Sequence, residues 1–313
     1  ITLTKEMVET GVVDADTGEV VQLKEGKVAI PEKIIVDSKR YYVTAIGESA
    51  FAGSVSIEEG EDGMPYPVFA SKLIEVVLPD TVTEVQDKAF SYCGNIKKLV
   101  LPDSLRKVGE QAFGAVGLAY QNTGIDEEHE IYICGPLKDG AETFEVPEGI
   151  TEIGEMAFAQ SNVGKAEIPE CVTLGRGVFA GCVYLEKCVL SGELKEIPYA
   201  MFQQCYNPSF DVKIPEGVEK IGDFAFYYAA FNVELPDSVT TIGENAFFAY
   251  MGERYDKVLR LPENLESIGE NAFAHNTIKE IEWNAKLKSI GRFCFADNRF
   301  TEITLPAGVE IQH

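Results

Sequence analysis

Two periods run through the apolar positions of this chain, one of two residues and one of about 22. At the short period, apolar and polar residues alternate in Val76/Leu78, Leu99/Leu101, Leu259/Leu261, Ile281/Trp283 and Ile303/Leu305. Such alternation predicts short strands with one buried face. The strands end at Pro79, Pro102, Pro147, Pro169, Pro215, Pro236, Pro262 and Pro306, with Ser191 and Asn284 in the same place in two copies. Proline has no N–H to give a neighbouring strand, so it closes the segment. Three and six residues later the apolar residues return, as Val82/Val85, Val218/Ile221, Val239/Ile242 and Leu265/Ile268, and predict a second inward-facing segment. Then comes a glycine (Gly109, Gly154, Gly222, Gly243, Gly269, Gly291), expected either where a side chain would crowd or where φ turns positive. Eleven residues after the anchor stands an aromatic, from Phe90 and Phe113 to Phe273 and Phe295; Phe179 comes one residue early, and Phe51 begins the series.

Successive anchors lie 21 to 26 residues apart, except for one gap of 45. A fixed period in the twenties predicts a solenoid, because one coil cannot bury its apolar face alone and stacked coils can. The expected architecture is a β-rich α/β solenoid of about ten coils, each of about 22–24 residues. The recurring string LP-x-x-[LV]-x-x-IG-x-x-AF resembles the BspA-like class of bacterial leucine-rich repeats over residues 40–313. Local departures are Gln86 and Pro198 at the glycine position, Cys294 before Phe295, and the residue missing between Pro169 and Phe179.

Residues 1–39 lack the signature. Val12-Val13 and Val20-Val21 flank an Asp/Gly cluster and predict a β-hairpin cap over the first coil's open edge. The cluster does not have calcium-loop spacing, since Gly18 falls at position five and no glutamate closes position twelve. Insertions near 54–72 and 114–143 break the period; the second is close to one extra period and reads as a coil without its plug or as a binding loop.

Charge narrows the partners. With 27 Lys and Arg against 51 Asp and Glu, the net charge is −24, which argues against nucleic acid and anionic membranes. No apolar run reaches the roughly 18 residues of a membrane span. The chain begins at Ile1 rather than Met, as expected where a leader has been removed. Among the seven cysteines, Cys93, Cys182 and Cys205 fall three residues after an aromatic plug and Cys188 on an inward strand position, so a ladder of buried thiols is expected. A Cys182–Cys205 bridge between adjacent coils is the alternative. Neither zinc spacing nor a cofactor motif is present, and no metal or cofactor is expected.

Nothing in the sequence assembles a catalytic set. The three histidines, His129, His275 and His313, are scattered, and Glu128-His129 has no nucleophile motif beside it. The expectation is a non-catalytic binding protein. Its first candidate surface is the outward side of the strands, with Lys98, Lys165, Glu167, Lys187, Lys213, Glu234, Arg260, Glu280 and Glu282; its second is an aromatic group after the plugs, with Tyr227, Tyr228 and Tyr250. The family resemblance implies export, display at the cell surface, and adhesion to extracellular proteins of the matrix type. A glycan-binding module and a structural stalk for another domain are the alternatives.

Overall fold

The computed structural model describes all residues except 60–64, 118–122, 127–130, 135–140, 170, 172, 208, 230–232, 250–257 and 313. It forms two compact units, Ile1–Gly175 and Arg176–His313. Both are built from the same coil. Among the described residues the helical share expected of an α/β solenoid shrinks to one short helix, Lys5–Thr10, which lies before the repeats. The turns after the second segment are too short to hold a helix, and Ala-Phe there forms tight turns instead.

In the first unit, strand Lys72–Val77 lies between Glu25–Ala29 and Lys98–Val100, all parallel, with Glu75 opposite Lys98 and Val76 opposite Leu99. Phe144–Val146 pairs with Val163–Ile168 further along. The segments after the anchors make a second parallel ladder in the order Thr2–Leu3, Ala45–Ile46, Glu84–Val85, Lys107–Val108, Glu152–Ile153 and Thr173–Leu174. The second unit repeats the plan. Lys187–Leu190 pairs with Asp211–Lys213, and Val258–Arg260 with Glu280–Glu282. Its second ladder runs from Glu196–Ile197 through Lys220–Ile221, Thr241–Ile242, Ser267–Ile268 and Ser289–Ile290 to Glu310–Ile311.

The aromatic plugs form a column inside each unit. Phe51, Phe90, Phe113 and Phe158 stack with ring centroids 4.7, 5.5 and 5.4 Å apart. From Phe179 through Phe202, Phe226, Phe247 and Phe273 to Phe295 the spacings are 6.0, 5.6, 5.0, 5.2 and 5.8 Å. Burying one such ring stabilises the coil by up to about 3 kcal/mol. Burial is complete as far as Phe273 and fails at the last coil, where Phe295 is half-buried and Ile303, expected inside, is exposed. The chain's single tryptophan, Trp283, stands edge-on to Phe295 at 5.8 Å.

The corner glycines owe their place to crowding. At none of the six is φ positive; instead, a Cβ on Gly243 would lie 2.7 Å from the Asp223 nitrogen, and one on Gly291 2.3 Å from the Glu270 nitrogen. Backbone approaches backbone there, and only hydrogen fits. The left-handed conformations fall elsewhere, two residues before and two after the plug. Lys88 and Tyr92 flank Phe90 with φ of 57° and 58°, Phe224 and Tyr228 flank Phe226 with 60° and 53°, and Asn271 and His275 flank Phe273 with 53° and 57°. Each such residue costs about 1–2 kcal/mol for a side chain other than glycine. The return is a third hydrogen-bond ladder: Lys88, Phe90 and Tyr92 donate their N–H groups to Glu110, Ala112 and Gly114 of the next coil at 2.8–2.9 Å. Phe224, Phe226 and Tyr228 do the same toward Glu244, Ala246 and Phe248.

Ahead of the repeats, Thr4 caps the helix by accepting from the Met7 N–H, and Val12–Asp14 pairs antiparallel with Val20–Val21. Asp14 Oδ1 accepts from the N–H groups of Asp16 and Thr17 at 2.7 and 3.0 Å, which holds its carboxyl below the usual range. The Asp/Gly cluster is thus a turn closed by its own backbone.

Candidate partner-binding surfaces

The strand ladders present the first candidate surface. In Lys98–Val100 the pattern is exposed, buried, exposed, and Asp211–Lys213 and Val258–Arg260 repeat it. Lys98, Lys187, Lys213, Glu234, Arg260, Glu280 and Glu282 are exposed, whereas Lys165 and Glu167 are half-buried. The register brings opposite charges together: Glu75 beside Lys98, Lys187 beside Asp211, and Arg260 beside Glu282. Lys98 also pairs with Glu142 at 3.2 Å, and Lys165 with Glu167 at 3.1 Å, a hydrogen bond that raises the lysine's pKa. The lysines of the first half are therefore held by this chain's own carboxylates, and a partner would meet a mosaic of both signs.

Grooves open on this surface. One of about 520 Å³ is lined by Lys165, Glu167, Glu145, Glu148 and Leu101 in the first unit. Another of about 310 Å³ is lined by Glu234, Arg260, Glu216 and Asp237 in the second. A groove of about 590 Å³ that sequence reasoning missed lies over the second ladder of the first unit, between Glu84, Lys107, Asp87, Glu110 and Glu152. Lys107 bonds Glu152 at 2.7 Å, which raises its pKa. Period-two alternation carries too little signal in two-residue strands to have marked these positions.

The second candidate surface follows the turns of the second unit. Tyr199, Phe224, Tyr227 and Phe248 make successive ring contacts at 5.5, 5.3 and 5.1 Å. Tyr228 meets Tyr227 edge-on at 4.7 Å, and Phe248 meets His275 at 4.7 Å. Tyr227, Tyr228, Phe224 and Phe248 are half-buried, with their remaining surface open to solvent, and partial burial raises the Tyr227 pKa. Tyr250 lies outside the described residues. The sequence marked the tyrosines, but Phe224 joins this surface only because its left-handed backbone turns it out of the interior.

The cysteines have a structural role. The six described, Cys93, Cys171, Cys182, Cys188, Cys205 and Cys294, are buried and in no disulfide, so the Cys182–Cys205 bridge is not formed. Cys93 Sγ donates to the Phe51 carbonyl at 3.1 Å and Cys205 Sγ to that of Phe179 at 3.2 Å. Three residues after their own plugs, Asn276 and Asn298 donate to the carbonyls of Phe247 and Phe273, both at 2.8 Å. Thiol and amide are alternative solutions to one problem, a buried carbonyl that needs a donor. Desolvation pushes the thiols of Cys93 and Cys171 up to about 11 and that of Cys294 higher still.

Among the described residues no cluster of His, Cys, Asp and Glu could hold a metal ion, and no helix is long and apolar enough to cross a membrane. His129 and His313 lie outside the described residues, and exposed His275 faces Asp297 at 3.3 Å.

The sequence model of the BspA type leucine rich repeat region, in six copies, matches residues 32–113, 65–126, 138–251 and 248–312. The chain belongs to the BspA-type leucine-rich-repeat family. One solved structure agrees on the fold: a leucine-rich repeat protein from Bacteroides ovatus is 19% identical, with 91% of this chain and 82% of that one covered at a TM-score of 0.53. The pneumococcal vaccine antigen PcpA is also 19% identical, over 94% of this chain and 85% of its own, at 0.39. A leucine rich cell surface protein from Faecalibacterium prausnitzii is 18% identical, over 87% and 92%, at 0.31. No functionally curated protein matches the chain. From coil to coil of this chain the plug, the small residue before it and the corner glycine recur, while the outward positions of strands and turns change.

Proposed function

We propose that this chain is a non-catalytic recognition scaffold, displayed outside the cell, that binds an extracellular protein of the matrix type through the outward side of its strand ladders. What supports this is the register. Residues such as Lys187 with Asp211 and Arg260 with Glu282 stand at fixed backbone spacing on a parallel ladder, so the positions from which a mosaic of charges projects are set before any partner arrives. Preorganisation of that kind lowers the ordering cost of binding, and mixed charge selects a partner by pattern rather than by net attraction.

The test is binding of the purified chain to an array of matrix proteins and glycans at low and high salt, followed by the double variant Glu234→Arg/Arg260→Glu. A protein partner whose affinity falls tenfold or more on this exchange supports the reading. Unchanged affinity for every partner, in that variant and in Lys165→Glu/Lys187→Glu, rejects the strand face.

A further inference from the structure

The turn surface of the second unit differs from the strand face in having rings and carboxylates but few cations. Three residues before successive plugs stand Arg176, Tyr199, Asp223, Glu244, Glu270 and Arg292. At both ends of this row the chain lays its own guanidinium on an aromatic ring, with Arg176 4.0 Å from the centroid of Tyr199 and Arg292 5.1 Å from that of Phe293. Between them the composition changes. Phe224, Tyr227, Tyr228 and Phe248 supply the rings, and Asp223, Glu244 and Glu270 take the place of arginine.

Backbone bonds fix the rings and carboxylates side by side. Phe224 follows Asp223 in sequence and donates its N–H to the Glu244 carbonyl at 2.9 Å, while Asn245 donates to that of Glu270 at 2.9 Å. Asp223 Oδ1 accepts from the Glu244 N–H, and Glu244 Oε1 from the Asn245 amide. Among the described residues none of these three carboxylates is in an ion pair, although they sit on adjacent rungs of one ladder. Like charges so stacked repel one another, and a cation brought between them and the rings is attracted by both.

We infer that this stretch, from Asp223 to Glu270 with the rings of Phe224, Tyr227, Tyr228 and Phe248, is a docking surface for an arginine-bearing segment of a partner protein. Arginine fits better than lysine because its planar guanidinium stacks on a ring while its edge hydrogen-bonds a carboxylate. The arrangement reproduces between two molecules what Arg176 and Tyr199 make within one. Recognition by a scaffold underlies this inference as it does the strand-face proposal, but the surface is a separate one.

The test uses the full chain and two labelled nine-residue peptides, Gly-Ser-Arg and Gly-Ser-Lys each repeated three times, with a chito-oligosaccharide as a third probe. The arginine peptide is expected to bind at least threefold more tightly than the lysine peptide, and binding should weaken as salt rises. Tyr227→Leu/Phe248→Leu, which changes no charge, should weaken it tenfold or more while circular dichroism stays that of the parent. Glu244→Gln/Glu270→Gln should weaken it and flatten the salt dependence. Arg260→Glu, on the strand face, should leave it within twofold, so that failure of one surface is separable from failure of the other. Equal binding of both peptides, or indifference to the leucine variant, overturns the inference by reducing the effect to net charge. Oligosaccharide binding that is insensitive to salt and lost in the leucine variant overturns it in favour of a glycan site.

Discussion

The turns of the two units share one backbone and carry different surfaces. In the first unit the positions flanking the plugs carry one aromatic, Tyr92 after Phe90, and otherwise small, aliphatic or polar residues, such as Ser49 and Gly53 about Phe51 or Gln111 and Ala115 about Phe113. In the second they hold Phe224, Tyr227, Tyr228, Phe248 and His275. Yet two residues before the plug φ is left-handed in both, 49° at Gln111 and 60° at Phe224, and the N–H of each reaches the next coil at 2.9 Å. The conformation is therefore set by what lies inside and between coils. What lies outside is free to become a binding surface.

The largest effect should come from the interior column, compared at its middle and its end. Phe247→Ala removes a ring stacked on both sides and should cost about 3–5 kcal/mol, whereas Phe295→Ala, at a half-buried ring, should cost well under that. Urea denaturation of the two variants decides it, and equal losses would mean that the last coil is not an edge.

Next come the glycines, where one substitution should have opposite signs. Gly243→Ala forces a methyl group against the backbone of the preceding coil and should destabilise by about 1–3 kcal/mol. At Gly192 the added methyl meets nothing within 4 Å and φ is not positive, so alanine there should be neutral or stabilising by up to about 1 kcal/mol. Thermal melts of both check the sign.

A smaller difference should separate two replacements of one thiol. Cys205→Ala removes one of the two hydrogen bonds at the Phe179 carbonyl, which keeps that from the Cys182 N–H at 3.0 Å, and should cost about 0.5–1.5 kcal/mol. Cys205→Asn supplies the group that Asn276 uses in its own coil and should recover most of that loss. If asparagine is no better than alanine, the hydrogen bond is not what the thiol contributes.

The smallest effect concerns pH. Because burial raises the Cys93 thiol to about 11 from about 9, its contribution to stability is intact below pH 9 and is lost as pH rises from there toward 11, where the unfolded chain ionises first. Cys93→Ser should flatten the stability profile over that window, and alkylation of the native protein at pH 8 should be slow until urea unfolds it.

The comparison also explains what the sequence could reveal. Phe plugs, prolines and corner glycines recur because few residue types fit where they stand, so their period is plain despite Ser191, Asn284, Gln86 and Pro198. The left-handed positions were hidden, since Ser49, Lys88, Gln111, Phe224 and Phe293 share no side-chain property; hydrogen bonds to the next coil hold them, and those depend on backbone alone. The equivalence of Cys205 and Asn276 was hidden for the opposite reason, because two unlike side chains do the same work. On the strand face the outward residues could be read from alternation. Their pairing, such as Lys98 with Glu142, could not, because the 45-residue gap between Pro102 and Pro147 obscures which coil lies beside which.

The position of Trp283 turns the last coil into an optical probe. As the chain's single indole, edge-on to the half-buried Phe295, it emits from the coil of the second unit whose plug is least buried. Its fluorescence follows the loosening of that coil, while the far-ultraviolet dichroism follows every coil together. Where the two transitions part along a denaturant gradient, the gap between them reads out how far unfolding has travelled inward from the final turn.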